Sequence, residues 1–388
     1  MNQVGNKIVL FGLIIAVFFL AFFWRYINYY QFLGLLFVPW FFSAKGVVKK
    51  RWILYFIAIL FSSIVGVNPV ESLKWFYMFV LITLYSAAVK KTYGYRHIIL
   101  DAFFYCSIFH CFFIMLQYFN PALATIFIKA LVPPDVAESS SIGAYLISGV
   151  CTGIAGEAAF AMLYSSYVFF YGFIKYVSEK KKIYIVFILL GLVCILLNGK
   201  RIAIVINAVT AFVSYYLLIR SSKRQAGNLV TIGIVLAIII SIATYTDLGS
   251  IIMEKNSELA ESGDITNGRA DLNAHMLRIF EGNPILGIGP FCTSLYAGEF
   301  LGHNIYLTTL SENGLIGLIC LSVLLLLNIK DSFTRFKSGD HSVYMYVSIY
   351  IQIFFILYGF TGNPLYGSQF LITYIIFSIN ENRNSNLS

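Results

Sequence analysis

Charged residues are scarce in this chain. Asp, Glu, Lys and Arg make up 12% of its 388 residues, whereas about a quarter of a soluble globular domain is charged. Apolar residues account for 59% and aromatic residues for 17%, and the mean hydropathy is +0.80. This composition excludes an ordinary soluble globular protein and indicates an integral membrane protein.

The chain also lacks paired cysteines. Its six cysteines are scattered, none belongs to a CxxC pair, and most fall inside apolar runs. Histidine is rare as well, and His303 has no other His, Cys or Asp at metal-ligand spacing. These absences argue against a disulfide framework and against a zinc site. We therefore expect no metal and no cofactor.

Apolar runs recur along the chain, and few polar stretches separate them. About 20 apolar residues cross the hydrocarbon core of a bilayer as a helix. The sequence therefore predicts an all-α integral membrane protein with about 12 transmembrane helices in a single polytopic domain over 1–388. The first run lacks a small-residue cleavage site, so we expect a retained helix. The predicted spans are about 8–24, 27–44, 52–67, 73–89, 97–117, 155–174, 183–198, 201–219, 228–246, 314–329, 342–360 and 365–380.

Basic residues are concentrated between alternate spans. With the N-terminus in the cytoplasm, 19 of the 27 lysines and arginines fall in cytoplasmic segments, and about 13 of the 18 acidic residues fall outside. Cytoplasmic loops of membrane proteins are enriched in Lys and Arg. The pattern predicts that both termini are cytoplasmic. The net charge of +9 is then explained by topology and by contact with membrane lipid, and we expect no nucleic-acid partner.

Two outward segments interrupt the spans. The first, 118–152, mixes Pro, Ser and Gly and is predicted either to lie at the membrane surface or to form part of a lid. The second, 247–312, is the longest polar stretch and faces away from the cytoplasm. Apolar residues recur within it at helical spacing, which predicts an amphipathic helix over 268–281. Asn304 is a suitable N-cap for a second short helix.

Four basic residues on the outer side are candidates for binding an anion. Lys200 and Arg201 occupy a short turn where the topology predicts few cations, and the alternative is that both side chains reach toward lipid headgroups. Arg269 opens the amphipathic helix, where backbone N–H groups also favour an anion; the alternative is a solvated arginine. Arg278 falls on the polar face of that helix, where a structural role is the simpler interpretation.

His303 is the candidate base. It precedes Asn304 at a loop-to-helix junction, and a neutral imidazole can accept the proton of an attacking sugar hydroxyl. The simpler alternative is a structural hydrogen bond. Glu312 is interpreted either as an orienting residue or as a cap of the next span. Glu157 opens the sixth span, where a carboxylate either stabilises the helix N-terminus or contacts an acceptor sugar.

Several motifs follow one another in the second half of the chain. They are the turn Gly199-Lys200-Arg201, a Gly268-Arg269 start with its amphipathic helix, NPILGIG at 283–289, and His303-Asn304 followed by YLTTLSENGLIGL at 306–318. In this order they resemble the O-antigen ligase and polymerase superfamily, membrane glycosyltransferases of the GT-C class. The resemblance extends over about 150–330. One departure is Lys200, where many members have a serine.

The resemblance implies transfer of a glycan from an undecaprenyl-diphosphate-linked donor, with inversion and without a metal. The reaction would take place at the periplasmic face of the bacterial inner membrane. Arg201 and Arg269 match the arginines that hold the diphosphate, and His303 matches the residue that activates the acceptor hydroxyl. The expected substrate-binding residues are Lys200, Glu157, Asn304, Arg278 and Glu312.

The superfamily contains both polymerases and ligases. The block GEAAFAMLY at 156–164 is similar to a Glu-containing block of polymerases, with Ala158 where a proline is common. It favours an O-antigen polymerase that extends lipid-linked repeat units, for which a chain-length regulator protein stays open as a partner. The alternatives are an O-antigen ligase, with lipid A–core as acceptor, and a transporter or flippase. A transporter is disfavoured. Its polar residues are expected near the membrane midplane, whereas this chain concentrates its polar residues in the predicted outward loop.

Overall fold

The structure, a computed structural model, describes residues 3–22, 30–43, 50–132, 150–221, 269–296 and 302–378. Regular structure in these ranges is helical, with no strand among them, in agreement with the predicted all-α class. The α-helices are α1 Gln3–Phe22, α2 Val38–Ser43, α3 Lys50–Val65, α4 Pro69–Thr83, α5 Tyr85–Lys91, α6 Arg96–Phe119, α7 Pro121–Leu131, α8 Ala158–Glu179, α9 Ile183–Leu197, α10 Arg201–Ser221, α11 Arg269–Gly282, α12 Thr293–Tyr296, α13 Ile305–Lys337, α14 Val343–Tyr358 and α15 Ser368–Ser378.

Three described segments are long and apolar enough to cross a membrane. They are Pro69–Lys91, Tyr93–Phe119 and Ile305–Lys337. Shorter apolar helices, such as α9 and α14, coincide with further predicted spans. The described residues are therefore those of a helical membrane protein, and the number of twelve spans stays a prediction.

Three predicted segments need comment. One is divided in the structure, one lies outside the described residues, and one is described only in part. The span predicted at 27–44 is divided between a 3-10 helix, Tyr30–Phe37, and α2. Pro39 has no backbone N–H to continue a helix, and proline favours the first turn of a new one. The span predicted at 228–246 lies outside the described residues. In the outward segment 118–152, α7 is capped by Asn120, and residues 133–149 also lie outside the described ranges.

Helix α8 lies at the centre of the bundle, packed against α6, α9 and α14. Its Phe170 stacks on Tyr350 of α14 with ring centroids 3.9 Å apart. Gly191 lets α9 approach closely, because a Cβ at that position would lie 2.5 Å from the backbone nitrogen of Phe169. Small residues allow this kind of close helix packing in membrane proteins.

Polar side chains fix α10 against its neighbours. Asn207 of α10 donates from Nδ2 to Ser166 Oγ of α8 (2.7 Å), and Tyr350 OH of α14 donates to Asn207 Oδ1 (3.2 Å). Hydrogen bonds of this kind stabilise helix contacts where the surroundings are apolar. They hold in place the helix that begins at Arg201.

Several basic residues lie together at one end of the helices. Helix α8 ends at Glu179, just before Lys180 and Lys181. On α13, Asp331 lies near the C-terminal end and accepts a hydrogen bond from Arg51 Nη2 of α3 (2.6 Å). The starts of α8 and α13 lie at the opposite end, and the candidate site is found there.

Candidate active site

The predicted amphipathic helix forms α11. Its observed bounds, Arg269–Gly282, differ from the predicted 268–281 by one residue at each end. Met276 is buried, and its Sδ accepts a weak hydrogen bond from Thr308 Oγ1 of α13 (3.8 Å), whereas Arg278 is exposed. The apolar face of α11 thus packs on the start of α13, close to His303.

The two sequence blocks of the outward loop interlock. Helix α13 is broken at Gly314, whose backbone leaves the helical conformation (φ 64°, ψ −169°). On either side of this break, Gly289 N–H donates to Glu312 O (2.8 Å) and Leu315 N–H donates to Pro284 O (2.9 Å). The NPILGIG turn therefore supplies hydrogen-bond partners to backbone groups that a broken helix leaves unpaired.

Glycine is required on both sides of this contact. Gly287 and Gly314 adopt positive φ angles of 70° and 64°, a region that favours glycine. A Cβ on Gly287 would lie 2.3 Å from the carbonyl carbon of Glu312, and a Cβ on Gly314 would lie 2.1 Å from Ile285 O. These glycines serve the close packing of the two blocks rather than the chemistry of the site.

Glu312 is fully buried in this junction. Its carboxylate accepts hydrogen bonds from Thr293 Oγ1 (2.6 Å), from Thr293 N–H (3.3 Å) and from Tyr366 OH. Its carbonyl oxygen accepts a hydrogen bond from Ser62 Oγ (2.6 Å). Glu312 thus connects α3, α12 and the segment before α15, while its contact with a substrate stays a prediction.

A cavity of about 570 Å³ lies where four of the described helices begin. It is lined by Glu157 before α8, Lys200 before α10, His303 before α13 and Ser368 at the start of α15. Its volume is typical of small-molecule sites, which measure roughly 300–1,000 Å³. Helix N-termini carry unpaired N–H groups and partial positive charge. The shared end of these helices therefore favours a bound anion.

His303 lies partly exposed in the wall of this cavity. Its partial burial lowers the pKa of the imidazole, and the positive charges of Arg269 and Lys200 lower that pKa further. The ring is therefore neutral at pH 7, and one of its nitrogens can accept a proton. Arg269 itself is not among the described lining residues.

Lys200 is presented to the cavity by a tight turn. Gly199 adopts a positive φ of 65°, and Asn198 Oδ1 accepts a hydrogen bond from Lys200 N–H (3.1 Å). Arg201 is the first residue of α10. The side chain of Arg201 lies outside the described part of the structure, and its contact with a diphosphate stays a prediction.

Glu157 occupies the N-cap position of α8 with an extended backbone. Its side chain makes no capping hydrogen bond to that helix. It instead places a carboxylate in the wall of the cavity, where it also favours the helix N-terminus electrostatically.

Asn304 and Arg278 have other surroundings. Asn304 Oδ1 accepts hydrogen bonds from Tyr306 N–H (3.0 Å) and Leu307 N–H (3.2 Å), which confirms the predicted N-cap. The predicted short helix and the predicted span at 314–329 are joined in α13, with the break at Gly314 between them. Neither Asn304 nor Arg278 is among the described residues that line the cavity.

Four residues that line the cavity were not among the site residues predicted from the sequence. Trp75 of α4, Tyr358 of α14, Asn363 and Gln369 all line it. The sequence does contain a hint, because TGNPLYGSQF at 361–370 places Pro, Gly and amide residues between two apolar runs. This segment lies beyond the range of the family motifs, so nothing in the sequence linked it to His303.

The described titratable side chains form no metal centre. Among them, no three His, Cys, Asp or Glu residues stand close enough together to hold a metal ion, and the six cysteines are free thiols. The ionisable side chains that line the cavity are Glu157, Lys200 and His303, with the nearby charge of Arg269.

Comparison with known families identifies the middle of the chain. The family model described as O-antigen ligase matches residues 185–322. These residues are similar to the O-antigen ligase family. They include Lys200, Arg269 and His303, together with the interlocked loop blocks, and they confirm the resemblance to the O-antigen ligase and polymerase superfamily. No curated protein matches the chain.

An O-antigen ligase family region implies an enzyme for glycosyl transfer of the O-antigen ligase or polymerase kind, acting on lipid-linked glycans. It does not distinguish polymerase from ligase. The family match disfavours the transporter alternative. It covers neither Glu157 nor the wall formed by Trp75 and 361–370, so the place of these residues in the cavity is known from the structure alone.

Proposed function

We propose that the protein is a metal-independent, inverting glycosyltransferase of the GT-C class. It polymerises undecaprenyl-diphosphate-linked O-antigen, or a similar surface glycan, at the periplasmic face of the bacterial inner membrane. The observation that carries the proposal is the cavity at the shared end of four described helices. His303 and Lys200 both line it, and the charge of Arg269 acts on His303. The O-antigen ligase family match supports the class of reaction.

In this proposal, the cations of the site stabilise the leaving diphosphate. The bond between the sugar and the phosphate oxygen breaks during transfer, and negative charge develops on the diphosphate. Lys200 and Arg269 offset that charge, and the helix N-termini add backbone N–H groups. Pre-organised groups of this kind contribute roughly 3–4 kcal/mol each to lowering a barrier. Arg201, next to Lys200, is proposed to take part.

His303 is proposed to act as the base. The acceptor hydroxyl attacks the anomeric carbon on the side opposite to the diphosphate, so one carbon–oxygen bond forms as the other breaks and the configuration inverts. The hydroxyl proton passes to the neutral imidazole. The lowered pKa of His303 favours this step, because it keeps the ring unprotonated at pH 7.

A polymerase is favoured over a ligase by the GEAAFAMLY block and by the position of its glutamate. Glu157 stands in the same cavity as His303, where it can contact an acceptor sugar. In a polymerase, the acceptor is the non-reducing end of one lipid-linked repeat unit, and the donor is the growing chain on its lipid diphosphate. In a ligase, the acceptor would be lipid A–core.

Gene deletion followed by gel analysis of the lipopolysaccharide tests the proposal. We expect the deletion strain to keep lipid A–core capped with a single repeat unit, and we expect His303→Ala to leave that pattern unchanged. Lys181→Ala, an exposed change beyond the end of α8, should restore long chains. Membrane levels of both variants are compared by immunoblot.

Two outcomes would contradict the proposal in different ways. Uncapped core in the deletion strain would identify a ligase instead of a polymerase. Long chains produced by His303→Ala would rule out His303 as the base.

A further inference from the structure

Two amide side chains in the cavity wall have polar atoms without protein partners. Gln369 is 1% exposed, and its Nε2 has no hydrogen-bond partner among the described residues. Asn363 has both Oδ1 and Nδ2 shielded and likewise unpartnered within the described ranges. An unpaired buried polar group destabilises the folded protein. Such groups in a native protein need an explanation.

Other buried amides in the bundle make hydrogen bonds through their NH₂ groups. Gln352 Nε2 donates to Ser332 Oγ (2.7 Å), and Asn328 Nδ2 donates to Tyr374 OH (2.9 Å). Neither Gln352 nor Asn328 is among the described cavity-lining residues. Gln352 Oε1 is itself unpartnered among the described residues, so the contrast concerns the donor atoms. The unpartnered amide donors of Asn363 and Gln369 belong to residues that line the cavity.

An aromatic surface completes this wall. Trp75 stacks on Phe291 (ring centroids 4.3 Å apart, 24° between planes) and meets Tyr366 edge-on (5.1 Å, 83°). Tyr366 OH accepts a hydrogen bond from Phe291 N–H (3.0 Å) and donates to Glu312. The buried Glu312 carboxylate thus holds Tyr366, and through it Trp75, in one orientation.

We propose that Asn363, Gln369 and Trp75 form a sugar-recognition wall. The amides hydrogen-bond hydroxyl groups of one sugar ring, and the indole packs against the C–H face of that ring. An amide offers both donor and acceptor atoms, as adjacent hydroxyls require, and an aromatic ring offers a flat apolar surface. The inference rests on the proposed function, since it assigns a glycan to the cavity.

The distribution of charge separates this wall from the phosphate side. Asn363, Gln369 and Trp75 are neutral, whereas Lys200 and Glu157 bring the charged side chains to the same cavity lining. A diphosphate is expected at the cationic side, and a neutral ring with hydroxyl groups suits the amide side. The ring belongs either to the donor glycan or to the acceptor repeat unit, and both have the chemistry required.

The test uses the full-length protein in proteoliposomes with lipid-linked repeat units from the source strain. The variants are Asn363→Leu and Gln369→Met, which remove the amide and keep most of the volume. Gln352→Met is the matched control, because it removes a buried, hydrogen-bonded glutamine away from the cavity. The value of kcat/KM is measured with intact units and with monodeoxy analogues, placed in the donor in one arm and in the acceptor in the other.

We expect at least one deoxy analogue to lower kcat/KM of the wild type by about 10- to 100-fold. The missing hydroxyl group leaves a buried amide unpaired in the complex. The same analogue should cost the matching variant nothing further, since the contact is already missing. Gln352→Met should keep every wild-type deoxy penalty. The arm that shows the coupling identifies donor or acceptor. If the first variants do not fold, milder changes replace them. Gln369→Asn shortens the side chain so that its amide no longer reaches the sugar, and Asn363→Ser exchanges the amide for a small hydroxyl group.

Three results are decisive. Losses that are additive in both arms, with intact units still transferred by the wild type, would overturn the sugar-recognition wall and leave the proposed function standing. Coupling in Gln352→Met as well would show a general packing effect and also overturn the wall. No transfer of intact units by the wild type would overturn the proposed function and the inference together.

Discussion

Lys200 and Arg269 have two roles in the proposed mechanism. As cations they favour the departing diphosphate, and the same charges lower the pKa of the imidazole that receives the proton. Both effects come from one placement of charge beside a partly buried ring. At the residue scale, binding of the anion and readiness of the base are therefore linked.

We predict that Arg269→Met moves the acid limb of the pH–rate profile to higher pH. Arg269 lowers the pKa of His303, so its removal raises that pKa toward the ordinary value. On acidification the imidazole is then protonated earlier and ceases to act as a base. The measurement is kcat/KM against pH for the purified protein, which reports the free enzyme.

Arg278→Met provides the control for this prediction. It removes an exposed arginine from the same helix and should leave the acid limb in place. An unmoved limb in Arg269→Met, whatever the overall loss of rate, would contradict the proposed link.

Among the helices and loops, the two outward sequence blocks form one interlocked unit. The NPILGIG turn pairs with the break in α13 through Gly289 and Leu315. The same α13 begins at the His303 junction and carries α11 on its first turns. The position of Arg269 and His303 therefore depends on a backbone contact that neither of them makes.

We predict that Gly314→Ala destabilises the protein by about 1–3 kcal/mol or more and lowers transfer activity with it. The added Cβ would lie 2.1 Å from Ile285 O, at a φ of 64°, so the two blocks must separate. The measurement is unfolding in detergent micelles. Gly339→Ala is the control, because its φ of 97° is also positive but nothing lies within 4 Å of the added atom. Equal losses in the two variants would count against the interlock.

For the whole molecule, the bundle collects the starts of α8, α10, α13 and α15 around one cavity. Lys180 and Lys181 follow the other end of α8, and Arg335 and Lys337 lie in the last turn of α13. This separation supports the proposed orientation, with the cavity facing the periplasm, because cytoplasmic ends of membrane proteins are enriched in Lys and Arg.

We predict that a membrane-impermeant maleimide labels Arg278→Cys in intact spheroplasts and labels Lys181→Cys only after permeabilisation. Arg278 is exposed on α11, and the Lys181 side chain is 67% exposed beyond the end of α8. The parent protein, with its six native cysteines, is the background control. Labelling of Lys181→Cys in intact spheroplasts would contradict the orientation.

Local patterns in the sequence were enough for the membrane class, for α11 and for the N-cap at Asn304. Hydropathy, helical periodicity and capping depend on residues within a few turns of one another. They also drew attention to Lys200, Arg269 and His303, although they did not show that the charges of the first two reach the third.

Tertiary structure alone decided the rest of the site. Trp75, Asn363 and Gln369 join Glu157 and the other cavity residues only because distant helices pack with their ends together. No local pattern encodes such a contact, since it depends on which buried faces fit one another. The sequence by itself predicted a helical membrane protein with an outward, O-antigen ligase-like loop. Packing added that Glu312, Gly287 and Gly314 hold the two loop blocks together, and it brought the neutral wall into the same cavity as Lys200 and His303.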